Sequence, residues 1–162
     1  MDFESERFGC RLMTDDDEQQ FIALYQDPKV MRKVGQPFTH KQASKAFCQT
    51  LKLNNSDELK QRFWAVINKQ THLCVGFVML KWHLAPCKGT EIGIMLERRA
   101  NGGNAGLEIV KSLVTFAENI LRIKTLVADV NPSHHAAIKI LLKTGFRQIS
   151  EHQNLTCFER IS

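Results

Sequence analysis

A strand, a glycine-containing loop and a long amphipathic helix follow one another between Glu91 and Leu121. Of all the features of the sequence, this succession most limits the folds that the chain can adopt. The strand is predicted at Glu91–Leu96, and the loop is Arg99–Asn104. Such a loop exposes unpaired backbone N–H groups at the positive end of the helix dipole. It therefore predicts an anion site, for which a pyrophosphate is the usual occupant. The apolar residues of the helix recur with a period close to 3.6: Ile109, Val110, Leu113, Val114, Ala117, Ile120 and Leu121.

The residues of the loop suit an anion. Arg98 and Arg99 add positive charge beside it, while Gly102 and Gly103 leave room for phosphate oxygens and tolerate positive φ. The spacing matches neither GxGxxG nor GxxxxGK[ST], so the dinucleotide and P-loop fingerprints do not apply. Taken alone, the glycines have an alternative interpretation as a flexible turn with a good helix cap.

The rest of the chain predicts an α+β fold, with a mixed sheet covered by helices on both faces. Thr14 with Asp17, and Thr39 with Gln42, form capping boxes that begin two helices, and Asp27-Pro28 ends the first of them. Further helices are predicted at Pro28–Arg32, from Asn104 to about Leu121, and from Pro132-Ser133 to a glycine cap at Gly145. Strands are predicted at Phe8–Met13, Arg62–Asn68, Leu73–Trp82, Glu91–Leu96, Lys124–Val130, from Phe146 onward and within Leu155–Arg160.

Length and composition fit a single domain spanning residues 1–162, since 43% of the residues are hydrophobic and 24% are charged. No apolar run approaches the ~18 residues of a membrane-spanning helix, and the acidic start MDFESERF does not resemble a signal peptide. We therefore expect a cytoplasmic protein without membrane contact. The net charge is +5, but the cations are spread along the chain and give no clear nucleic-acid signal. The same charge suits a phosphorylated cofactor equally well.

The five cysteines are odd in number and contain no CxxC pair, so they predict reduced thiols and neither a disulfide framework nor a zinc site. The closest approach to a metal pair is His83 with Cys87, which has no second pair elsewhere, and we expect no metal. Cys87 is also a poor candidate nucleophile because nothing near it in the sequence would lower its pKa.

Five motifs of the second half occur in a fixed order. They are the strand end Gly93–Leu96, the loop Arg99–Asn104, the helix residue Glu108, the segment Asn131–His134 and the closing segment Lys143–Phe146. Together they resemble the GNAT superfamily of N-acetyltransferases, and within it the branch of the ribosomal-protein-alanine N-acetyltransferases. The superposition of motifs runs from Gly102 to Phe146 without a gap, and the likeness extends over nearly the whole chain.

This resemblance implies a bifurcated, GNAT-like sheet that binds acetyl-CoA. The strand around Ile94–Leu96 is expected to splay from the one around Leu126–Val130, with the pantetheine arm paired to backbone groups of Met95 and Leu96. His134 stands where the family often places an asparagine that touches the cofactor. The pyrophosphate is expected beside Arg99, on the backbone N–H groups of Ala100, Asn101, Gly102, Gly103, Asn104 and Ala105.

Besides His134, the chain departs from the family pattern at three positions. Asn104 replaces a glycine or alanine, which is tolerable because asparagine visits the left-handed region. Ala137 and Leu141 replace the serine and tyrosine where the family usually finds the acid for the departing thiolate. The only tyrosine, Tyr25, lies in the first helix.

For catalysis we expect direct attack of a primary amine in a ternary complex, without an acetyl-enzyme. Glu91 is the candidate base, with a solvated strand-end carboxylate as the alternative. His134 is the candidate acid or cofactor contact, with a residue that only caps the helix or faces solvent as the alternative. Trp64 and Trp82 either line a substrate pocket or belong to the core.

Three functions remain open at this point: an acetyltransferase acting on a protein N-terminus or a small-molecule amine, a catalytically silent CoA-binding module, and, with only net charge in support, a nucleic-acid-binding protein. The sequence does not decide between monomer and homodimer.

Overall fold

The computed structural model describes residues 1–83, 89–152 and 154–162, and these residues contain eight strands and five α-helices. The strands are β1 (Phe3–Glu4), β2 (Phe8–Leu12), β3 (Gln61–Asn68), β4 (Cys74–Lys81), β5 (Thr90–Leu96), β6 (Thr125–Val130), β7 (Arg147–His152) and β8 (Leu155–Ile161). The helices are α1 (Glu18–Gln26), α2 (Pro28–Met31), α3 (His40–Asn54), α4 (Ala105–Asn119) and α5 (His135–Lys143).

All eight strands form one sheet in the order β1-β2-β3-β4-β5-β6-β8-β7. Neighbouring strands are antiparallel except β5 and β6, which run parallel. The sheet is therefore mixed, and the predicted α+β architecture is confirmed. The parallel pair is joined by α4, which brings the chain back to the end of the sheet at which β5 begins, as a parallel connection requires.

Helices cover both faces of the sheet, and each face has its own core. On one face, Ile109 and Leu113 of α4 and Leu141 of α5 pack with buried residues of the strands. On the other face, Phe21 of α1 and Phe47 of α3 pack against residues of β3 and β4. No described helix has the length and apolar character needed to cross a bilayer.

Both predicted capping boxes form, the first opening a 3-10 turn at Asp15–Asp17 before α1, whereas α5 begins at His135 and not at Pro132-Ser133. The backbone N–H of Thr14 donates to Asp17 Oδ2 at 2.8 Å, and Arg11 binds both oxygens of this buried carboxylate at 2.8 and 2.9 Å. The backbone N–H of Thr39 donates to Gln42 Oε1 at 2.8 Å, which completes the second capping box. Both boxes are sequence-local devices, which explains why the sequence alone predicts them.

Two elements were not predicted. The two-residue strand β1 carries no periodicity of its own and is held by partners distant in sequence, such as Phe116, on which Phe3 stacks at 4.7 Å between ring centroids. The other is a 3-10 turn at Arg98–Asn101, directly before the glycine loop. It changes which backbone groups of the loop are available, as described below.

Candidate functional site

The parallel strands β5 and β6 pair at only two positions, Thr90 with Leu126 and Glu91 with Val127. Beyond them, β5 continues to pair with β4 as far as Leu96, and β6 continues to pair with β8 as far as Val130. The two strands therefore diverge towards their carboxyl ends and leave a gap inside an otherwise continuous sheet. The expected bifurcation is confirmed.

The register of β5 decides which backbone groups face this gap. The N–H of Glu97 donates to the carbonyl of Val75 at 2.8 Å, which makes this a hydrogen-bonded pair of the β4–β5 ladder. Because hydrogen-bonded and non-hydrogen-bonded pairs alternate, the polar groups of Met95 are directed towards β4, and those of Ile94 and Leu96 towards β6. The backbone of Met95, expected to pair with a ligand, therefore faces β4, whereas the backbone of Ile94 faces the gap.

The loop at the carboxyl end of β5 exposes backbone donors at the start of α4. In the described part of the chain, no acceptor is recorded for the N–H groups of Gly102, Gly103, Asn104, Gly106 and Leu107. They lie at the positive end of a 15-residue helix, where an anion is stabilised by both hydrogen bonds and the helix dipole.

The ends of the predicted loop are already hydrogen-bonded. The N–H of Ala100 donates to Glu97 O at 3.1 Å within the 3-10 turn that Asn101 ends, and the N–H of Ala105 donates to Gly102 O at 3.2 Å. The available donors therefore lie about two residues further towards the helix than the expected set, Ala100 to Ala105. Ala100 and Ala105 shape the loop but do not offer their own N–H groups.

Two successive residues of the loop adopt the left-handed conformation. Gly103 has φ 58° and Asn104 has φ 60°, so the prediction that asparagine is tolerated in this conformation is confirmed. Gly102 differs from expectation because it is extended, with φ −84° and ψ 166°. A Cβ added to Gly102 would meet no atom within 4 Å, so open space adjoins the unpaired N–H groups.

Arg98 and Arg99 are exposed beside the loop. Among the described residues, neither has a carboxylate within 4 Å, so their charges are available to a ligand. Together with Asp27 and Glu97 they line a cavity of about 420 Å³. Asp27 caps α2, which brings this helix to one rim of the gap.

The other rim is formed by the turn between β6 and α5. Lys33, just after α2, donates to Ser133 Oγ at 2.8 Å. The segment from Asp27 to Lys33 therefore reaches from the β5–α4 loop to the β6–α5 turn, both of which follow the diverging carboxyl ends of the strands.

His134 occupies the N-cap position of α5, but its side chain makes no capping hydrogen bond. The ring is half-buried, and burial lowers its pKa, with the nearby positive charges of Lys33 and Arg32 lowering it further. The imidazole is therefore neutral at pH 7. The capping interpretation of His134 does not apply.

Glu91 lies in the last pair before the strands diverge. Ile92, Ile94 and Leu96 belong to the core beneath α4, so alternation along the strand places Glu91 on the face covered by α1 and α3. Its Oε2 lies 3.0 Å from His83 Nε2 and 3.8 Å from Lys81 Nζ. The carboxylate is thus held in place at the closed end of the gap and is not a freely solvated group.

Arg7 was missed by the sequence analysis. Its guanidinium binds Glu108 of α4, with Nε 2.6 Å from Oε2, and donates through Nη2 to the Gly103 carbonyl at 2.8 Å. Hydrogen bonds from Arg7 and Ser5 outweigh the effect of burial and lower the pKa of Glu108. No local pattern could have revealed this contact, because 101 residues separate its two side chains.

A family model described as the acetyltransferase (GNAT) domain matches residues 7–147 of this chain. The chain belongs to the GNAT acetyltransferase family.

Solved structures share the fold of this GNAT domain. The ribosomal-protein-S5-alanine acetyltransferase from Vibrio fischeri matches with a TM-score of 0.79 and 17% identity, over 99% of this chain and 96% of that one. A ribosomal L7/L12 alpha-N-protein acetyltransferase in complex with coenzyme A matches with a TM-score of 0.80 and 13% identity, over 97% and 95%. A spermidine N-acetyltransferase chimera from Vibrio cholerae and hSSAT matches with a TM-score of 0.78 and 12% identity, over 96% of both chains. No curated protein sequence matches.

Several side chains of the GNAT domain can now be assigned to packing. Trp64 is buried in the core beneath α4, and its Nε1 donates to the Met1 carbonyl at 2.9 Å, so it does not line a substrate pocket. Trp82 is partly buried against the same core and also lines a cavity of about 350 Å³ with Thr90 and Leu121. Leu141, at the position of the family's tyrosine, is buried there too, so α5 turns this position away from the ligand side.

Two of the four described thiols, Cys10 and Cys74, are largely shielded from solvent. Burial raises the pKa of Cys10 to about 12 and that of Cys74 to about 11, so neither thiol is a nucleophile at neutral pH. Cys87 lies outside the described residues. Within them, no group of three or more histidine, cysteine or acidic side chains is arranged to hold a metal ion.

Proposed function

We propose that residues 1–162 form a single N-acetyltransferase domain that transfers an acetyl group from acetyl-CoA to a primary amine by direct attack in a ternary complex. The observation that carries this proposal is the row of unpaired backbone N–H groups at the start of α4, located where β5 and β6 diverge. An anion site and an adjoining gap between strands match the two parts of a nucleotide thioester.

The residues present fit acetyl-CoA. The N–H groups of Gly102, Gly103 and Asn104, continued by those of Gly106 and Leu107, are proposed to hold the diphosphate. Arg99 contributes positive charge, and the 3-10 turn ending at Asn101 presents the loop. The pantetheine arm is assigned to the gap, beside Ile94 and Leu96 in place of Met95. When bound, acetyl-CoA supplies an activated acyl group.

Glu91 is proposed as the base. The amine must be held about 3–3.5 Å from the acyl carbon and must lose a proton during its attack. Glu91 lies where the gap closes, on the face opposite to α4, so an amine that reaches the closed end of the gap from that face would meet its carboxylate. His83 holds that carboxylate by the 3.0 Å hydrogen bond, which restricts the positions from which the proton can be accepted.

His134 is proposed to contact the cofactor as a neutral imidazole. Its lowered pKa leaves little imidazolium at pH 7, so a hydrogen bond from the ring N–H is favoured over full proton donation. With Ala137 and Leu141 at the usual acid positions, the thiolate would leave without a proton from those side chains and would be protonated by water.

The acceptor is proposed to be a protein N-terminus or a small-molecule amine. The similar solved structures include both classes: two acetyltransferases of ribosomal proteins and one of spermidine. Their structural similarity, at 17%, 13% and 12% identity, shows the fold, and the acceptor has to be identified by experiment. Neither a monomer nor a homodimer is favoured by the described contacts.

A catalytically silent CoA-binding module is the second candidate. It is favoured by the replacement of both family acid positions by Ala137 and Leu141, the second of which is buried. Such a protein would keep the diphosphate site and the gap, but it would bind CoA without turnover.

Two measurements test the proposal. Thermal shift with CoA reports binding, and a thiol-release assay with acetyl-CoA reports turnover across peptides with free N-termini, polyamines and aromatic amines. Binding with turnover supports the enzyme, and binding without turnover on any amine supports the silent module. No stabilisation by CoA at millimolar concentration would contradict both, because a ligand that binds the folded state must raise its stability.

A further inference from the structure

A four-bond clamp joins the turn between β1 and β2 to the start of α4. Glu108 Oε1 accepts from Ser5 Oγ at 2.7 Å and from the Arg7 backbone N–H at 2.8 Å. Glu108 Oε2 accepts from Arg7 Nε at 2.6 Å, and Arg7 Nη2 donates to the Gly103 carbonyl at 2.8 Å. One guanidinium thus grips both the helix carboxylate and the loop backbone.

The bond to Gly103 fixes the orientation of a peptide plane. In a trans peptide the carbonyl of one residue and the N–H of the next point in opposite directions. Holding the Gly103 carbonyl against Arg7 therefore turns the N–H of Asn104 away from Arg7. That N–H is one of the unpaired donors of the anion site.

The clamp also acts on the strained part of the loop. Gly103 and Asn104 both have φ near +60°, and the left-handed region is unfavourable for a residue with a side chain. Without a bond to the Gly103 carbonyl, the peptide between these residues can rotate towards more common conformations. The Asn104 N–H would then leave its position in the row of donors.

We propose that Arg7 is a positioning residue for the diphosphate of CoA, acting through the Gly103–Asn104 peptide. This inference rests on the proposed function. The proposed effect is geometric, since the Glu108 carboxylate neutralises the guanidinium at 2.6 Å in the intact pair; the charge-preserving variant Arg7→Lys separates it from the repulsion by the unpaired Glu108 that Arg7→Ala would leave. Arg7 therefore sets the affinity for the cofactor without supplying net charge to it.

The chain contains a matched control at the other end of α4. Arg160 Nε and Nη2 bind Glu118 at 2.6 and 3.0 Å, and its Nη1 donates to the Thr144 carbonyl at 3.0 Å, beside the left-handed Gly145. This clamp has the same chemistry and the same helix, but it contacts no residue of the β5–α4 loop.

The test compares Arg7→Ala with Arg160→Ala by calorimetric titration of CoA and by thermal unfolding of the unliganded proteins. Both variants are expected to unfold at lower temperature. Only Arg7→Ala is expected to weaken CoA binding, by about tenfold, the loss of one well-aligned hydrogen bond to a charged group. With saturating acetyl-CoA, Arg7→Ala should keep the wild-type kcat while its KM for acetyl-CoA rises.

Arg7→Lys serves if the alanine variant does not fold, because a lysine reaches either Glu108 or Gly103 but not both, and an intermediate loss of affinity is expected. Equal dissociation constants for the Arg7 and Arg160 variants would overturn the inference while leaving the proposed function intact. Failure of the wild-type protein to bind CoA would instead overturn the proposed function.

Discussion

Replacing Gly102 with valine should separate cofactor affinity from stability. Gly102 is extended, with φ −84° and ψ 166°, which is a conformation that valine adopts readily. A Cβ at this position would meet no atom within 4 Å. The substitution also reduces the freedom of the unfolded chain, so we expect unchanged stability or a gain of about 0.4–1 kcal/mol.

The affinity for CoA, in contrast, should fall. The valine methyl groups would occupy the open space in front of the N–H groups of Gly102 and Gly103, where the diphosphate is proposed to lie. A hydrogen bond to a charged group contributes about 1.5–3 kcal/mol, so the loss of two corresponds to about 3–6 kcal/mol. The dissociation constant for CoA should therefore rise by about 100-fold or more.

Titration calorimetry with CoA and thermal unfolding without it measure the two effects. Gly9→Val is the control, because Gly9 has equally open space but lies in β2 beside Phe8 and Cys10, whose side chains face α4. It should change neither quantity by much. An unaltered CoA affinity in Gly102→Val would refute the placement of the diphosphate, whereas a large drop in unfolding temperature would refute the account of the loop backbone.

Three further predictions concern the base, the histidine and the sheet. Glu91→Gln should lower kcat by about 100-fold or more with little change in CoA affinity, and a normal rate would remove Glu91 from the chemistry. The pKa of His134 is lower in the folded state, so the unfolded state binds more protons as pH falls through about 6.5. The stability of the wild-type protein should therefore decline there more than that of His134→Ala. Parallel pH profiles of the unfolding temperature would contradict this. Gly76→Ala should destabilise by about 3 kcal/mol or more, because its Cβ would collide with the Met95 carbonyl and lie 2.9 Å from Leu96 Cα; the control Gly35→Ala has open space, and equal unfolding temperatures would be the contrary result.

The features that were predicted well from the sequence are those that depend on residues close together in the chain. The capping boxes at Thr14 and Thr39, the glycine cap at Gly145 with φ 83°, and the stripe of α4 depend on spacings of a few residues. The loop before α4 was placed correctly for the same reason. Its link to acetyl-CoA came from the order of motifs along the chain, not from the glycines themselves.

The features that sequence did not predict depend on partners that are distant along the chain. Whether Met95 or Ile94 faces the gap follows from the ladder with β4, which the bond between Glu97 and Val75 reveals. The environment of Glu91 depends on His83, which follows β4. Arg7 meets Gly103 only after the sheet has formed, and no periodicity within either segment encodes that contact.

The pairing of β5 and β6 at only two positions has a mechanical consequence. Strands β1 to β5 form one part of the sheet, and β6 to β8 form the other. Among the described residues, the strands of these two parts pair only at Thr90–Leu126 and Glu91–Val127. An extended amide-bearing molecule seated in the gap would act as a short substitute strand, bonding to both margins. A ligand of that kind would complete the hydrogen bonding of the sheet across the gap.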